Sequence, residues 1–432
     1  MTGPKPIVMT LMVRDEVDVI AAMIEHHLAQ GIDLIIATDN GSVDGTREVL
    51  ADYAALGVVE LHDDPRHEKQ QAEVVTRMAR RAYVEHGAEW VINADADEFW
   101  FASAGGTVAA ALRNAPTSIE SFDVPVHNLF GRPLESGSAI RSHVWRDERT
   151  ESELNAVGLH AHPTQDCVHR GNALVEVVQG NHATSLPLTP AADVPESARL
   201  EVLHLPYRTW SRYQHRVETT AAAYSVSGRT PSPRHHGMRD ARWHERGELD
   251  HVFVARHPVI DADGTTSTPG FVHDARLREE LEQLLLNGAR LPERLGESLA
   301  DPVWMTDERE LRKRFEAVGP WMVEAAEWRA NTAYREADFY SAVLKREQAD
   351  ERIEQLDAEL AATRAQAASA SATVNDLNTY IARLLGNPAI RLTARVLTPR
   401  YGWHERKNKF LKVARSVVSR PRVLMQRLLR KG

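Results

Sequence analysis

The chain has 432 residues, 43% hydrophobic and 26% charged, with a formal net charge of −9. That length leaves room for two or three domains with a sizeable core, and the composition is that of a soluble folded protein. A lone cysteine, Cys167, excludes an internal disulfide framework, and no run of 18 apolar residues is present to span a bilayer.

Ile7–Val13 is a compact apolar run that predicts a buried strand. Val17, Ile20, Ile24 and Leu28 recur at helical spacing, which predicts a helix over Val17–Gln30 stopped by Gly31. Leu34–Ala37 reads as a second strand, followed by the turn-rich Asp39–Thr46, where Asp44 is placed to cap a helix over Thr46–Leu56. Val58–Leu61 is a third strand, Gln70–His86 a helix ended by Gly87, and Trp90–Ala94 a fourth strand. This alternation predicts a parallel α/β sheet, in which ligands bind beyond the carboxyl ends of the strands. Three polar clusters fall at such ends: Arg14 to Glu16, the Asp39–Asp44 loop, and Asp95 to Glu98.

Between 120 and 210 the β-like pieces Phe122–Val126, Ala173–Val178 and Leu200–Leu205 predict a mixed-sheet second half. Residues 208–230 read as helix, and the polar 231–275, rich in Pro, His, Arg and Gly, as an irregular lid or a disordered stretch. Arg276–Leu286, Thr306–Phe315 and parts of 319–348 are expected to be helical. Ile353, Leu356, Leu360, Thr363, Ala367, Ala370, Val374, Leu377, Ile381 and Leu384 then alternate in steps of three and four. That seam predicts a coiled coil pairing copies of the chain, with a single long helix packed on its own domain as the alternative. The expected domains are therefore 1–230, an extension over 231–348, a coiled-coil helix over 349–387 and a tail over 388–432.

The stretch EWVINADADEFW puts Asp95, Asp97 and Glu98 directly after an apolar strand. Carboxylates grouped so closely raise one another's pKa unless a cation is present, and Mg²⁺ or Mn²⁺ prefers such oxygens while keeping positions for phosphate. In an extended segment Asp95 and Asp97 would share a face and Glu98 would point away. A solvated acidic loop is the plain alternative, since Asp-x-Asp alone is a weak motif.

The stretch MVRDEVDVIAAMIEHHLAQGIDLIIATDNGSVDGTREVL, followed by NADADEFW, resembles the family 2 glycosyltransferases of GT-A fold, in the branch with HH, DNGS-x-DGT and D-x-DEF motifs. The resemblance covers residues 7–100 closely and 120–220 loosely. It implies a GT-A fold, a Rossmann-like mixed sheet, and transfer of a sugar from a nucleotide-diphosphate donor with a divalent cation, Mn²⁺ or Mg²⁺. It also implies that Asp39 holds the nucleobase or ribose, that Asp95 lies near the ribose or the metal, and that Asp97 is a metal ligand. Arg14 and Glu16 would border the nucleotide. VLHLPYRTWSRYQHRV looks like the family's later His–aromatic–basic element, making His204 a third metal ligand and Arg208 and Arg216 diphosphate contacts. His26 and His27 match the HH pair and are expected to be structural, one facing the core or the next helix and one solvent. His160, His162, His169 and His182 cluster among turns without a standard zinc spacing. An inverting transfer needs a carboxylate base, and the family's usual motif for it is absent. Glu148, Glu151, Glu153 and Asp166 are available, and Asp166 in AHPTQDCVHRGN is the one chosen. The donor stays open between uridine and guanosine nucleotides; a glycan or lipid-linked oligosaccharide is the expected acceptor.

Residues 388–432 hold thirteen Lys or Arg against Glu405 alone, so the tail carries +12 and the rest −21. Aliphatics such as Leu411, Val417, Leu424 and Leu428 among those cations, broken at Pro421, predict two short amphipathic helices that adsorb to an anionic membrane surface. The single face of aliphatics favours lipid over nucleic acid, where interleaved aromatics would be expected. The N-terminus lacks the order of a signal peptide, and the lone cysteine fits a reducing compartment, so the expected location is cytoplasmic, peripheral to the membrane. Two rival readings are a metal-dependent nucleotidyltransferase, opposed by the lack of a glycine-rich loop in MVRDEVDV, and a non-catalytic membrane-associated scaffold, opposed by Asp39, Asp95 and Asp97.

Overall fold

The computed structural model describes residues 4–66, 71–159, 165–178, 180–227 and 236–388. The basic tail from 389 onward, and His160 and His162, lie outside the described residues. The chain divides into two compact units, Met1–Glu336 and Ala337–Gly432.

The first unit begins with β1 (Ile7–Val13), α1 (Ile20–Ala29), β2 (Leu34–Asp39), α2 (Thr46–Ala55), β3 (Val59–Asp63), α3 (Gln71–Val84) and β4 (Trp90–Ala94). β1 pairs in parallel with β2 and with β4, and β2 with β3, giving the order β4-β1-β2-β3. Both faces of this sheet are covered, so β4 is buried at every position and reads as an unbroken apolar run. The strand order reverses at β1, which puts the ligand crevice beyond the carboxyl ends of β1, β2 and β4.

The chain continues through β5 (Glu98–Ala102), α4 (Val108–Asn114), β6 (Ser121–Phe130), β7 (Leu134–Ser136), α5 (Ala139–Ser142) and β8 (Trp145–Asp147). Then come α6 (Glu151–Ala156), β9 (Gln165–Arg170), β10 (Leu188–Thr189) and β11 (Leu200–His204). β9 lies between β4 and β6, antiparallel to both. β11 pairs antiparallel with β5 and parallel with β6, so His204 stands opposite Glu98 on one side and Asn128 on the other. The strand expected over Ala173–Val178 is reduced to a bridge between Val177 and Thr184. Its backbone is satisfied by α3 instead: Arg80 Nε donates to the Val175 carbonyl, and the Val177 N–H donates to Thr76 Oγ1.

The remaining elements are α7 (Trp210–Ser227), α8 (His236–Glu245), α9 (Leu249–Arg256), β12 (Phe271–His273), α10 (Arg276–Asn287), α11 (Pro292–Ser298), β13 (Val303–Trp304) and α12 (Glu308–Gly386). The irregular segment expected over 231–275 therefore contains two helices. Trp243, Leu249, Val252 and Phe253 recur at helical spacing and bury themselves with Phe130, Tyr207 and Tyr213 in a second core. Residues 236–336 belong to the same compact unit as the strands before them. The helices expected near 306–315 and over 319–348 are one helix, running through Pro320. In the second unit the seam residues Ile353, Leu356, Leu360, Val374 and Leu377 are exposed on this helix. Among the described residues no helix is long and apolar enough to cross a membrane.

His26 and His27, expected to divide between core and solvent, are both fully buried. They grip one residue of β5, Trp100, by its carbonyl and its N–H. His26 Nε2 lies 2.8 Å from the Trp100 carbonyl, while the Trp100 N–H donates to His27 Nε2 at 3.2 Å. The second nitrogen of each ring faces another acceptor, Glu280 Oε1 for His26 and the Met23 carbonyl for His27, each at 2.8 Å. Burial, reinforced by His26, holds the His27 ring well below its ordinary pKa, so it stays neutral and can accept from Trp100. His27→Ala leaves that N–H without an acceptor and opens a cavity. It should destabilise the protein by about 2–4 kcal/mol in urea unfolding at pH 7.5; an unchanged midpoint would show that the clamp does not hold β5.

Candidate active site

The carboxyl ends of β1 and β2 are knitted by side chains. Asp15 takes left-handed backbone geometry (φ 54°), which costs a non-glycine residue roughly 1 kcal/mol. That turn lets the Asp15 N–H donate to Ser42 Oγ at 3.0 Å, and Asp15 Oδ1 accept from the Val43 N–H at 2.8 Å. Asp39, the last residue of β2, accepts through Oδ2 from the Gly41 and Ser42 N–H groups, each at 3.1 Å. Its Oδ1 is buried and has no hydrogen-bond partner among the described residues. Asp44 accepts from the Thr46 and Val17 N–H groups, tying the start of α2 to the exit of β1.

After β4 the segment Asp95–Glu98 is not extended but turns: the Glu98 N–H donates back to the Asp95 carbonyl at 3.3 Å. Asp95 and Asp97 therefore do not share a face as an extended strand would have them do. Glu98 does not point away either, since its Oε2 accepts from the Asp95 N–H at 2.9 Å. The two aspartates serve different neighbours on either side of the turn.

On the Asp97 side a compact ion network forms. Asp97 Oδ2 is 3.1 Å from Arg208 Nη1, 3.6 Å from His204 Nε2 and 3.8 Å from Arg216 Nη1. His204 is oriented by Asn128 Oδ1, 2.9 Å from its Nδ1, and the Leu205 N–H donates to the Asp97 carbonyl at 2.9 Å. Arg208 also pairs with Glu16 and Asp18. Burial alone would raise the Asp97 carboxyl, but the His204 ring and the Arg208 and Arg216 guanidiniums outweigh it and hold Asp97 below the usual range.

On the Asp95 side the carboxylate accepts from Gln71 Nε2 at 3.0 Å and from Asn181 Nδ2 at 3.1 Å. Burial pushes the Asp95 carboxyl up to about 7, and Asp97 and Asp166 push the same way. Glu98 rises well above its ordinary value for the same reason, with burial first and Asp166 next. Asp166, near the start of β9, is buried, and His182 Nδ1 is 3.4 Å from its Oδ1.

Of the residues singled out in sequence, Glu16, Asp97, His204, Arg208 and Arg216 come together. Asp95 and Asp166 lie on the other side of the turn, Asp39 is held in its own loop, and Arg14 is 3.7 Å from Asp15. Among the described residues, no three or more His, Cys, Asp or Glu side chains are gathered as a metal centre. Asp95, Asp97 and His204 thus do not form one ligand set here, because the turn points Asp95 toward Gln71 and Asn181. Asp97 and His204 do face each other.

A cleft of about 550 Å³ opens beside this network, lined by Arg14, Asp15, Glu16, Arg208, Arg212 and Arg216 among others. Arg212 went unnoticed in sequence. Its Nη1 donates to the Asp15 carbonyl at 3.0 Å and to Asp44 Oδ2 at 2.7 Å, joining α7 to both loops. The signal was there, since Arg208, Arg212 and Arg216 recur every four residues, and Arg212 and Arg216 share a face of α7. Asp18 and His215 were also missed; His215 Nε2 is 3.2 Å from Asp15 Oδ2.

Residues 8–135 match the model of glycosyltransferase family 92. The chain is accordingly a sugar-transferring enzyme of the glycosyltransferase kind, built on a mixed α/β Rossmann-like sheet. No curated protein matches it. Among solved structures it is similar to residues 1–349 of S. aureus TarS, at 11% identity over 77% of this chain and 92% of that one, with a TM-score of 0.29. It is also similar to glucosyl-3-phosphoglycerate synthase from Mycobacterium tuberculosis in complex with Mg²⁺ and uridine-diphosphate, at 15% identity over 28% of this chain and 44% of that one, with a TM-score of 0.21. At these scores neither likeness bears on the chemistry.

The raised Asp95 carboxyl makes a stability prediction. Its folded pKa, about 7, lies above the ordinary 3.8, so the folded state holds a proton that the unfolded state has released. The associated stability is full below pH 3.8 and is lost as pH rises through 7. Asn at this position keeps an acceptor for Gln71 and Asn181 and does not titrate. In metal-free buffer Asp95→Asn should therefore stabilise the protein by about 2–3 kcal/mol at pH 8 relative to its effect at pH 5. Denaturant midpoints at the two pH values check this, and a pH-independent difference would contradict it.

Proposed function

We propose that the protein transfers a sugar from a nucleotide-diphosphate donor to a glycan or lipid-linked acceptor, with inversion and with the help of Mn²⁺ or Mg²⁺. One observation carries this reading. Asp97, at the carboxyl edge of a parallel sheet, gathers His204, Arg208 and Arg216 around a single carboxylate oxygen. A hard carboxylate facing an imidazole suits a divalent cation that completes its shell with diphosphate oxygens and water. Asp97 and His204 would hold that cation, with Asp95 near the ribose or the metal. When bound, the cation supplies charge stabilisation to the departing diphosphate.

The chain's own residues do the rest. Arg216, half-exposed beside the cleft, and Arg208 are the diphosphate contacts, and Arg14 and Glu16 border the nucleotide. The Asp39 carboxylate receives the nucleobase N–H or the ribose, which its unpartnered, buried Oδ1 supports. A uridine or guanosine donor presents such an N–H. The exposed seam of α12 supports association of copies through a coiled coil, and the basic tail would carry the enzyme to an anionic membrane surface bearing its acceptor.

A panel of uridine and guanosine diphosphate sugars, with Mn²⁺, Mg²⁺ or EDTA, tests the reading. Asp97→Ala should lower turnover by about 100-fold or more, and Asp39→Ala should weaken nucleotide binding about tenfold, or about 1.4 kcal/mol. Turnover that survives EDTA and Asp97→Ala would sink the metal-dependent reading. Light scattering should find an oligomer for the full chain and a monomer after truncation at residue 348; equal oligomeric states would rule out the coiled coil.

A further inference from the structure

One histidine that the transferase reading leaves idle stands beside Asp95. His182 Nδ1 lies 3.1 Å from the Gln165 carbonyl and 3.4 Å from Asp166 Oδ1. Both neighbours only accept, so the ring proton sits on Nδ1 and the neutral imidazole keeps its lone pair on Nε2. The ring is 45% exposed, and among the described residues Nε2 has no hydrogen-bond partner. Asp166 is the reverse. It is 1% exposed, and among the described residues neither of its oxygens has a hydrogen-bond partner. A buried carboxylate so poorly satisfied is costly unless a positive charge forms against it.

The loop that carries the ring is built for close approach. Gly180 has φ +85°, and a Cβ there would come within 2.7 Å of His182 Nε2. Asn181 takes left-handed geometry (φ 62°) and donates to Asp95 Oδ1 at 3.1 Å. Three consecutive residues thus fasten the imidazole to the strand-end turn whose other side carries Asp97.

We propose that His182 is the general base that deprotonates the acceptor hydroxyl, with Asp166 as its positioning residue. This rests on the transferase reading above. Nε2 takes the hydroxyl proton as the acceptor oxygen bonds to the anomeric carbon. The bond from that carbon to the diphosphate oxygen breaks, and its electron pair leaves with the diphosphate. The resulting imidazolium is stabilised by Asp166 and then gives its proton to solvent. Asp166, expected from the sequence to be the base itself, is too buried to touch an acceptor and acts through the ring. Among the described residues the charged groups that face His182 are Asp166 and Asp95, and the Asp166 carboxylate raises the ring above its ordinary pKa, outweighing burial.

Hydrolysis of UDP-glucose, UDP-N-acetylglucosamine and GDP-mannose with Mn²⁺ uses water as the acceptor and tests the dyad. His182→Gln should lower kcat by about 100-fold while UDP affinity stays within about twofold. The acid limb of the wild-type pH profile should vanish in that variant. In Asp166→Asn the limb should move to lower pH, because the ring loses its carboxylate. His182 is half-exposed, so His182→Gln is expected to fold, which circular dichroism checks. A variant His182→Gln with wild-type rate and acid limb overturns the dyad alone. A wild type that binds or hydrolyses none of the three overturns the transferase reading and the dyad together.

Discussion

A single guanidinium holds the carboxyl edge of the sheet in register. Arg208 is buried, and its nitrogens reach Glu16 beyond β1, Asp18 just before α1, and Asp97 beyond β4. Three carboxylates this close repel one another, and in a partly desolvated crevice that repulsion is weakly screened. Removing one partner of such a buried network typically costs about 3–5 kcal/mol, because the charges left behind cannot return to water. Arg208 follows β11 directly, so the pairing of β11 with β5 and β6 decides where its charge arrives. The same register brings His204 to Asp97 and sets the start of α7, which adds Arg212 and Arg216.

Strain and buried charge concentrate around that edge. Among the described residues only Asp15 and Asn181 are non-glycine positions with positive φ, and both belong to it: Asp15 lies just beyond β1, and Asn181 donates to Asp95. Strained backbone persists only where surrounding contacts over-determine it, and it gathers at functional sites. Behind the edge, the paired histidines of α1 grip the Trp100 backbone of β5. The turn that separates Asp95 from Asp97 is thus anchored on both sides, by β4 in the parallel sheet and by β5 on α1. The result is a rigid frame that presents a basic cleft on one side and a histidine–aspartate pair on the other.

Much of this frame was legible in the sequence, for plain reasons. Period and punctuation marked β1 to β4 and their helices to within a few residues, because a strand buried on both faces must be an apolar run and a crossover helix must be amphipathic. The strand-end positions of Glu16, Asp39, Asp95 and Asp97 followed from that. What stayed hidden depends on contacts distant in sequence. The turn at Asp95–Glu98 separates two aspartates that an extended segment would align, and no local pattern distinguishes the two geometries. His182 is tied to Asp95 through Asn181 and to Asp166 through β9, pairings that only the antiparallel insertion of β9 beside β4 creates. The helices α8 and α9 were obscured by their polar surroundings, although Leu249, Val252 and Phe253 carried the spacing.

We propose that Asp97 and His204 mark the cation and diphosphate end of a donor site whose base or ribose end is Asp39. A crystal structure of the protein with Mn²⁺ and a nucleoside diphosphate tests it most directly. The ion should be bound to Asp97 and His204, with the diphosphate between it and Arg216 and the nucleoside against Asp39. A nucleotide bound elsewhere, or an ion held by neither Asp97 nor His204, would contradict it.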